Sequence, residues 1–208
     1  MVSIRSINGG VLLEVEAESL AGQKLAGAHL PQADFSNCDL AGADFRNADL
    51  RGAQFGGAQA AGAIFHGANL GGAMLAGADL TGADFTDANA EGANFQGANL
   101  TRALFRYSRI GQCNFTEAEM QHADLSMADA QANFQGADLS RADLRAANLA
   151  KASFIGARLL GANFTDAKVT GVALAQAHTE GAIGAPAVGA AGGGGRKRRS
   201  RAWWRFWR

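Results

Sequence analysis

Apolar residues recur every five positions along most of the chain, a spacing that fits neither a helix nor a single strand. The stretch ADFSNCDLAGADFRNADL, residues 33–50, shows the unit: a small residue, a polar residue, Leu or Phe, and two further polar or small residues. Small and large apolar residues two positions apart point the same way only if the local backbone is extended. Each unit therefore predicts a short extended side with its middle residue facing outward, followed by a tight corner where glycine is common.

The large residue of each unit, which we call its centre, keeps the five-residue spacing from Leu20 to Ala130. The spacing then shortens by one residue, resumes at Phe134 and continues to Thr179. Units that cannot bury their apolar side alone must stack on one another, as fixed-period repeats do. Because the missing residue falls at a predicted outer corner, we expect the slip to leave the stacking order intact.

Phenylalanine occupies only alternate centres, which indicates four sides in each coil. Two columns of period 20 hold every phenylalanine of the repeat, and smaller residues fill the two columns between them. The first column is Phe35, Phe55, Phe95, Phe115, Phe134 and Phe154, and the second is Phe45, Phe65, Phe85, Phe105 and Phe164. We expect these side chains to form the structural core, because bulky and slimmer layers then share a narrow interior.

The stretches ANLGGAMLAGADLTGADF (68–85) and ADLSRADLRAANL (137–149) resemble the pentapeptide repeat family, and the resemblance covers about residues 20–179. It implies the all-β fold of that family, a right-handed quadrilateral parallel β-helix, here with about eight four-sided coils. The predicted organisation is a hairpin or edge-strand cap at 1–19, the solenoid at 20–180, a Gly/Ala-rich flexible linker at 181–195 and a disordered basic aromatic tail at 196–208.

Charge and shape favour an interaction protein over an enzyme. The formal net charge is zero, but residues 196–208 carry seven Lys and Arg and no acid, so the rest of the chain has 12 basic and 19 acidic residues, a net of −7. Asp recurs at the outward middle position, where a convex rod offers no pocket to desolvate a carboxylate for acid–base chemistry. We therefore predict no enzymatic activity, no small-molecule substrate and no cofactor.

The cysteines and histidines do not predict a site. Cys38 and Cys113 take the inward small position nearly four coils apart, so we interpret them as core filler rather than as a disulfide. The four histidines fall on outward positions of different coils, so we predict no metal site. They are His29, His66, His122 and His178.

The stretch RALFRYSRI (102–110) departs most from the repeat and is a candidate protein interface. It contains Arg102, Arg106, the single Tyr107 and Arg109. Aromatic residues combined with arginine are typical of interface anchors. Surface ion pairs between these arginines and the neighbouring Asp columns explain the same residues.

The C-terminal segment RKRRSRAWWRFWR has a composition unlike that of the rod. Its candidate binding residues are Arg196, Lys197, Arg198, Arg199, Arg201, Trp203, Trp204, Arg205, Phe206, Trp207 and Arg208. As a helix it would place aromatic residues opposite arginines, which favours attachment to an anionic membrane surface. Base stacking with backbone neutralisation favours nucleic acid instead. The third interpretation is a tail that folds back on its own acidic rod or has no function.

The sequence as a whole favours a non-enzymatic scaffold that presents polar faces to an unknown protein partner, as a monomer or weak dimer. We expect a cytoplasmic protein, peripheral at the inner membrane face if the tail binds lipid, because neither a signal peptide nor a long apolar run is present. The family resemblance implies one alternative, a DNA mimic that binds DNA gyrase. The predicted rod has a net charge of about −5 over roughly 38 Å, whereas duplex DNA of that length carries roughly 22 charges. Nucleic-acid binding through the tail is the other alternative.

Overall fold

The computed structural model describes residues 1–186, which form a right-handed quadrilateral β-helix. Parallel bridges join the middle residue of each unit to the middle residue twenty positions later, for example Asp44 to Ile64 and Ile64 to Asp84. Twenty residues therefore complete one coil. The four-sided coil predicted from the phenylalanine columns is confirmed.

The outward middle residues form four columns, which we number as faces I to IV in chain order. Face I begins at Lys24, face II at His29, face III at Asp34 and face IV at Asp39. Each face continues at intervals of twenty residues, or nineteen where it crosses the slip after Ala130. Faces I and III therefore lie opposite each other, as do faces II and IV.

Backbone hydrogen bonds run between coils in both directions at every side. The N–H of Phe45 donates to the carbonyl of Ile64 on the next coil (2.8 Å), and the N–H of Asp44 donates to Gln23 on the previous coil (2.9 Å). Each side is so short that most of the solenoid consists of single bridges joined by turns. The polar backbone is nevertheless paired along the rod, as a buried backbone requires.

Three longer strands form a small sheet at the N-terminus. They are β1 (Val2–Ser6), β2 (Val11–Val15) and β3 (Ala33–Asp34). β1 pairs antiparallel with β2 and also with β3, which gives the order β2-β1-β3. Gly9, with φ of 85°, permits the tight β1–β2 turn. Ile4 of β1 is 2% exposed, so the hairpin covers the first coil.

The core is built from the two phenylalanine columns. All eleven rings are at most 1% exposed. Rings of one column stack on successive coils, as Phe45 does on Phe65 with centroids 5.2 Å apart and planes 3° apart. Rings of opposite columns meet edge to face, as Phe35 and Phe45 do at 5.5 Å and 73°. Both arrangements are the ones that aromatic pairs prefer.

The corners are β-turns whose third residue has a positive φ. At one corner the N–H of Ala48 donates to the carbonyl of Phe45 (3.0 Å), and Asn47 between them has φ of 57°. This is the type II arrangement, in which glycine or asparagine is favoured at the third position. The geometry explains why glycine is common at the second residue after each centre.

The outward Asp and Asn side chains also shape the corners, which the sequence analysis missed. Asp84 Oδ1 accepts a hydrogen bond from the N–H of Thr86 (2.9 Å), and Asn114 Oδ1 accepts one from Thr116 (3.1 Å). Such bonds mimic a backbone turn and favour Asp and Asn over other polar residues. A solvated polar face is therefore an incomplete description of these positions, because the same side chains also hold the next corner in place.

The slip in the repeat is confined to one corner between faces II and III. The N–H of Ala132 donates to the carbonyl of Ala130 (2.8 Å), which replaces the usual four-residue turn. Phe134 still stacks between Phe115 (5.0 Å) and Phe154 (4.8 Å). As expected, the missing residue leaves the stacking order of the core unchanged.

Candidate interaction surface

The corners change character in the middle of the rod. Of the sixteen positive-φ corners from Gly22 to Gly97, twelve hold glycine and the other four hold Asn, Asp or Gln. None of the next six corners holds glycine, and their φ lies between 56° and 61°. We call these six the corner run: Arg102, Tyr107, Gln112, Glu117, His122 and Met127. A side chain in this region is disfavoured by about 1 kcal/mol or more, so the run carries a conformational cost.

Two members of the corner run form an exposed apolar ridge. Tyr107 and Met127 occupy the same corner, between faces I and II, on adjacent coils, and each is 55% exposed. Leu104 lies beside them on face I and is 37% exposed. Adjacent large apolar side chains on an otherwise polar surface are typical of an interaction site.

The four residues of the predicted interface occupy neighbouring but separate places. Arg106 shares the corner of Tyr107, and its Nε lies 3.8 Å from Asp124 Oδ2. Arg109 lies on face II, where its Nη2 donates to Glu91 Oε2 at 3.0 Å. Arg102 lies one corner earlier, between faces IV and I. Tyr107 therefore belongs to the apolar ridge and Arg106 and Arg109 flank it, whereas Arg102 lies on the far side of face I.

A shallow pocket of about 140 Å³ lies beside the slip on the other edge of face II. Its lining residues are Glu91, Arg109, Gly111, Gln112, Asp129 and Gln131. Asp129 Oδ1 accepts hydrogen bonds from Gln131 Nε2 (3.0 Å) and Asn148 Nδ2 (2.9 Å). The charged groups of the pocket thus already have partners, since Arg109 pairs with Glu91 and two side-chain amides donate to Asp129. Arg109 connects the pocket to the apolar ridge across face II.

A family model for pentapeptide repeats matches most of this solenoid. It matches in eight copies, over residues 19–52, 28–67, 63–102, 98–131 and 132–171. The chain belongs to the pentapeptide repeat family. A search of curated proteins found no match.

Solved pentapeptide repeat structures are similar to this chain. HetL, a protein involved in heterocyst differentiation regulation in the cyanobacterium Nostoc sp. strain PCC 7120, is 29% identical, with 78% of this chain and 85% of HetL covered and a TM-score of 0.48. A trypsin-treated variant of QnrB1, a plasmid-mediated fluoroquinolone resistance protein, is 23% identical, with 78% of this chain and 84% of that chain covered and a TM-score of 0.51. The likeness to QnrB1 concerns the fold alone.

Ion pairs neutralise many carboxylates of this pentapeptide rod. Asp49 accepts two side-chain hydrogen bonds from Arg51 (2.8 and 2.7 Å) and lies 2.9 Å from His29 Nδ1. The hydrogen bonds from Arg51 lower the pKa of Asp49 to about 2, against the partial burial that would raise it. The pKa values of four further carboxyls are lowered as well. Hydrogen bonds lower the pKa in each case: from Ser36 at Asp34, from Arg46 at Asp44, from Arg145 at Asp143 and, against the burial that would raise it, from Ser140 at Asp138.

These lowered pKa values predict a loss of stability in acid. A carboxyl with a lowered pKa in the folded state stabilises the fold above its unfolded pKa of 3.8, and the contribution disappears as pH falls towards 2. We expect the melting temperature to be constant from pH 7 to about pH 5 and to fall steadily between about pH 4 and pH 2. Asp49→Asn keeps an oxygen acceptor for the corner but removes the charge, so its melting temperature should fall less over that range. An equal acid loss in the variant would contradict the assignment.

The cysteines are structural, and the described residues bring no metal ligands together. Cys113 is buried, which raises the pKa of its thiol to about 12, and its Sγ donates to the carbonyl of Ala90 (2.9 Å). Cys38 is half-buried, and burial raises the pKa of its thiol too. Within residues 1–186, no group of three or more His, Cys, Asp or Glu side chains could hold a metal ion.

The tail residues predicted to bind a membrane or nucleic acid lie outside the described residues. Within the described part of the chain, no helix has the length and apolar character needed to cross a membrane. The corner run was readable from the sequence as six successive corners without glycine, from Arg102 to Met127. The sequence analysis noticed only the arginines and Tyr107 of this stretch and missed Leu104 and Met127.

Proposed function

We propose that this chain is a non-enzymatic scaffold that binds a protein partner through the middle of its rod. The observation that carries the proposal is the corner run, where six consecutive corners hold large residues at positive φ. Glycine would make each of these corners more stable, so the side chains are retained at a conformational cost. Backbone strain of this kind concentrates where side chains serve binding.

The chemistry of the surface indicates the kind of partner. Tyr107, Met127 and Leu104 supply apolar contact area, and Arg106 and Arg109 stand on either side of Tyr107. The few residues that carry most of the binding energy of a protein interface are enriched in Trp, Tyr and Arg. Arg106 has only a long contact of 3.8 Å to Asp124, so its guanidinium is available to a carboxylate of the partner. A partner surface with an apolar centre and acidic surroundings fits this edge of the rod.

Two other functions have weaker support. DNA mimicry requires dense negative charge. Along the described rod, however, six arginines lie within 3.8 Å of a carboxylate oxygen. Residues 20–180 contain 11 basic and 16 acidic residues, so their net charge is only −5. Attachment to an anionic membrane or to nucleic acid through residues 196–208 rests on the composition of that segment alone.

The proposal predicts that weakening the interface strengthens the fold. Replacing Tyr107 and Met127 by glycine should stabilise the rod by about 1 kcal/mol each, which raises the melting temperature by about 2–4 °C for each change. Thermal unfolding followed by circular dichroism measures this effect. The same double variant should no longer retain a partner that the immobilised wild-type chain captures from cell extract.

Matched controls come from larger corner residues outside the run. Gln32→Gly and Gln176→Gly relieve the same positive φ near the two ends of the rod. They should stabilise the fold by a similar amount and leave partner capture unchanged. The proposal is wrong if the Tyr107/Met127 variant captures the same proteins as the wild type while the controls behave as expected.

A further inference from the structure

The N-terminal sheet has an open edge that the solenoid does not cover. The strand order β2-β1-β3 leaves β2 on the outside, and no other strand among residues 1–186 pairs with its free side. Val11 and Leu12 of β2 are 48% and 37% exposed, and Ile7 in the preceding turn is 50% exposed. An exposed apolar edge strand is a ready template for another strand.

The side chains of β2 alternate in a way that defines what would fit beside it. Leu13 and Val15 face inward and pack against the core. Leu12 and Glu14 face the other way, and the carboxylates of Glu14 and of Glu16, which directly follows the strand, are exposed. A strand added at this edge therefore needs apolar residues on its inner side, and it needs cations combined with apolar residues on its outer side.

Residues 201–208 of the same chain have this alternating pattern. Read with the period of two that applies to a strand, Arg201, Trp203, Arg205 and Trp207 fall on one side, and Ala202, Trp204, Phe206 and Arg208 fall on the other. Tryptophan and phenylalanine also have high strand propensity. The first side complements Leu12, Glu14 and Glu16, and the second, apart from its last residue, complements Leu13 and Val15.

The length of the rod favours a second copy over the same molecule. Eight successive bridges lead from Lys24 to Ile183, so the first and last coils are about 38 Å apart at the usual strand spacing. Fourteen residues separate Pro186 from Arg201, and a Gly-rich chain of that length has a root-mean-square span of about 20 Å. The effective concentration of the segment at its own hairpin is therefore low. Two rods side by side in opposite directions bring each segment close to the hairpin of the other.

We propose that residues 201–208 of one copy add as a strand to the β2 edge of a second copy, and that the reciprocal contact closes a dimer. Each copy gives one segment and receives one, so both open edges are covered and no chain of copies propagates. Glu14 of β2 and Glu16 and Glu18 just after it are all exposed, and every charged side chain of residues 201–208 is an arginine, so the charges of the two elements are complementary. The inference is independent of the corner run and of the partner proposed for it.

Tryptophan fluorescence tests the contact directly, because all three tryptophans of the chain lie in this segment, at positions 203, 204 and 207. We expect the emission of the full chain to shift to shorter wavelength as protein concentration rises. Over the same concentrations, light scattering after gel filtration should show a change from the chain mass of 21.4 kDa to twice that mass. High salt should move both transitions to higher concentration, because it screens the Glu–Arg attraction.

Charge reversal separates direct pairing from damage to the hairpin. Glu14→Lys with Glu16→Lys should keep the chain monomeric, and so should Arg201→Glu with Arg205→Glu. All four changes in one chain should restore the dimer, which a misfolded hairpin could not do. Glu117→Lys with Glu119→Lys is the matched control, because both carboxylates are exposed on the rod away from the hairpin, and it should leave the dimer unchanged.

Three outcomes overturn the proposal. The first is a fluorescence shift that does not depend on concentration, which means that the segment contacts its own rod. The second is loss of the dimer in the Glu117/Glu119 control but not in the Glu14/Glu16 variant, which places the segment on the acidic rod instead. The third is a monomer at every concentration whose emission shifts only when vesicles of phosphatidylglycerol are added, which assigns the segment to an anionic membrane.

Discussion

Phe95→Ala is expected to lower the free energy of unfolding by about 3–5 kcal/mol. Phe95 is fully buried, its ring stacks on Phe115 at 4.8 Å, and it meets Phe85 and Phe105 edge to face at 5.7 and 5.9 Å. Removing the ring leaves a cavity among three other rings that cannot collapse, because the backbone bridges fix the coil spacing. The melting temperature should fall on the order of 10 °C, measured by thermal unfolding.

Asp84 supplies the control for this prediction. From the sequence alone, Asp84→Ala should cost under about 0.5 kcal/mol, as an outward substitution. The bond from Thr86 to Asp84 Oδ1 (2.9 Å) raises the expected cost to about 1 kcal/mol. Asp84→Asn keeps this acceptor and should be close to neutral. If Asp84→Ala destabilised the rod as much as Phe95→Ala, the assignment of inward and outward positions would be wrong.

The solenoid was predictable because the periodic arrangement of its core residues appears in the sequence itself. Phenylalanine occurs only at alternate centres, in two of the four columns, and stacking requires this arrangement to repeat with each coil. The hairpin was visible only as NGG between two apolar runs. The pairing of β1 with Ala33–Asp34 was not visible, since no periodic pattern links an N-terminal strand to one side of the first coils.

The functional surface was less predictable because its features depend on backbone conformation. Tyr107 was noticed in the sequence because it is the single tyrosine and lies among arginines. Its significance lies in a φ of 58° at an exposed corner. Met127 reads in the sequence as an ordinary apolar residue, and only the coil geometry places it directly after Tyr107 at the same corner. The slip beside Gln131 was visible in the sequence as a shortened spacing, but the pocket next to it was not, because its lining comes from successive coils.

The missing residue itself suggests a pair of insertions with opposite outcomes. At the slip, the bond from Ala132 to Ala130 spans only three residues, and a pocket of about 140 Å³ lies next to it. A glycine inserted between Gln131 and Ala132 restores the usual four-residue corner and supplies the residue that prefers a positive φ. The side chains on either side keep their orientation, because the insertion lies in the turn.

We expect this insertion to leave the free energy of unfolding within about 1 kcal/mol of the wild type. A glycine inserted between Asn94 and Phe95 should instead abolish cooperative unfolding of the surrounding coils. It turns Phe95 outward, and it displaces Asn94 from its bridges to Met74 and Asn114. Circular dichroism and thermal unfolding of the two variants measure the difference. Equal tolerance at the two sites would mean that the sides and corners of the coil are wrongly assigned, whereas tolerance at the slip alone shows that the chain is one corner residue short of a regular rod.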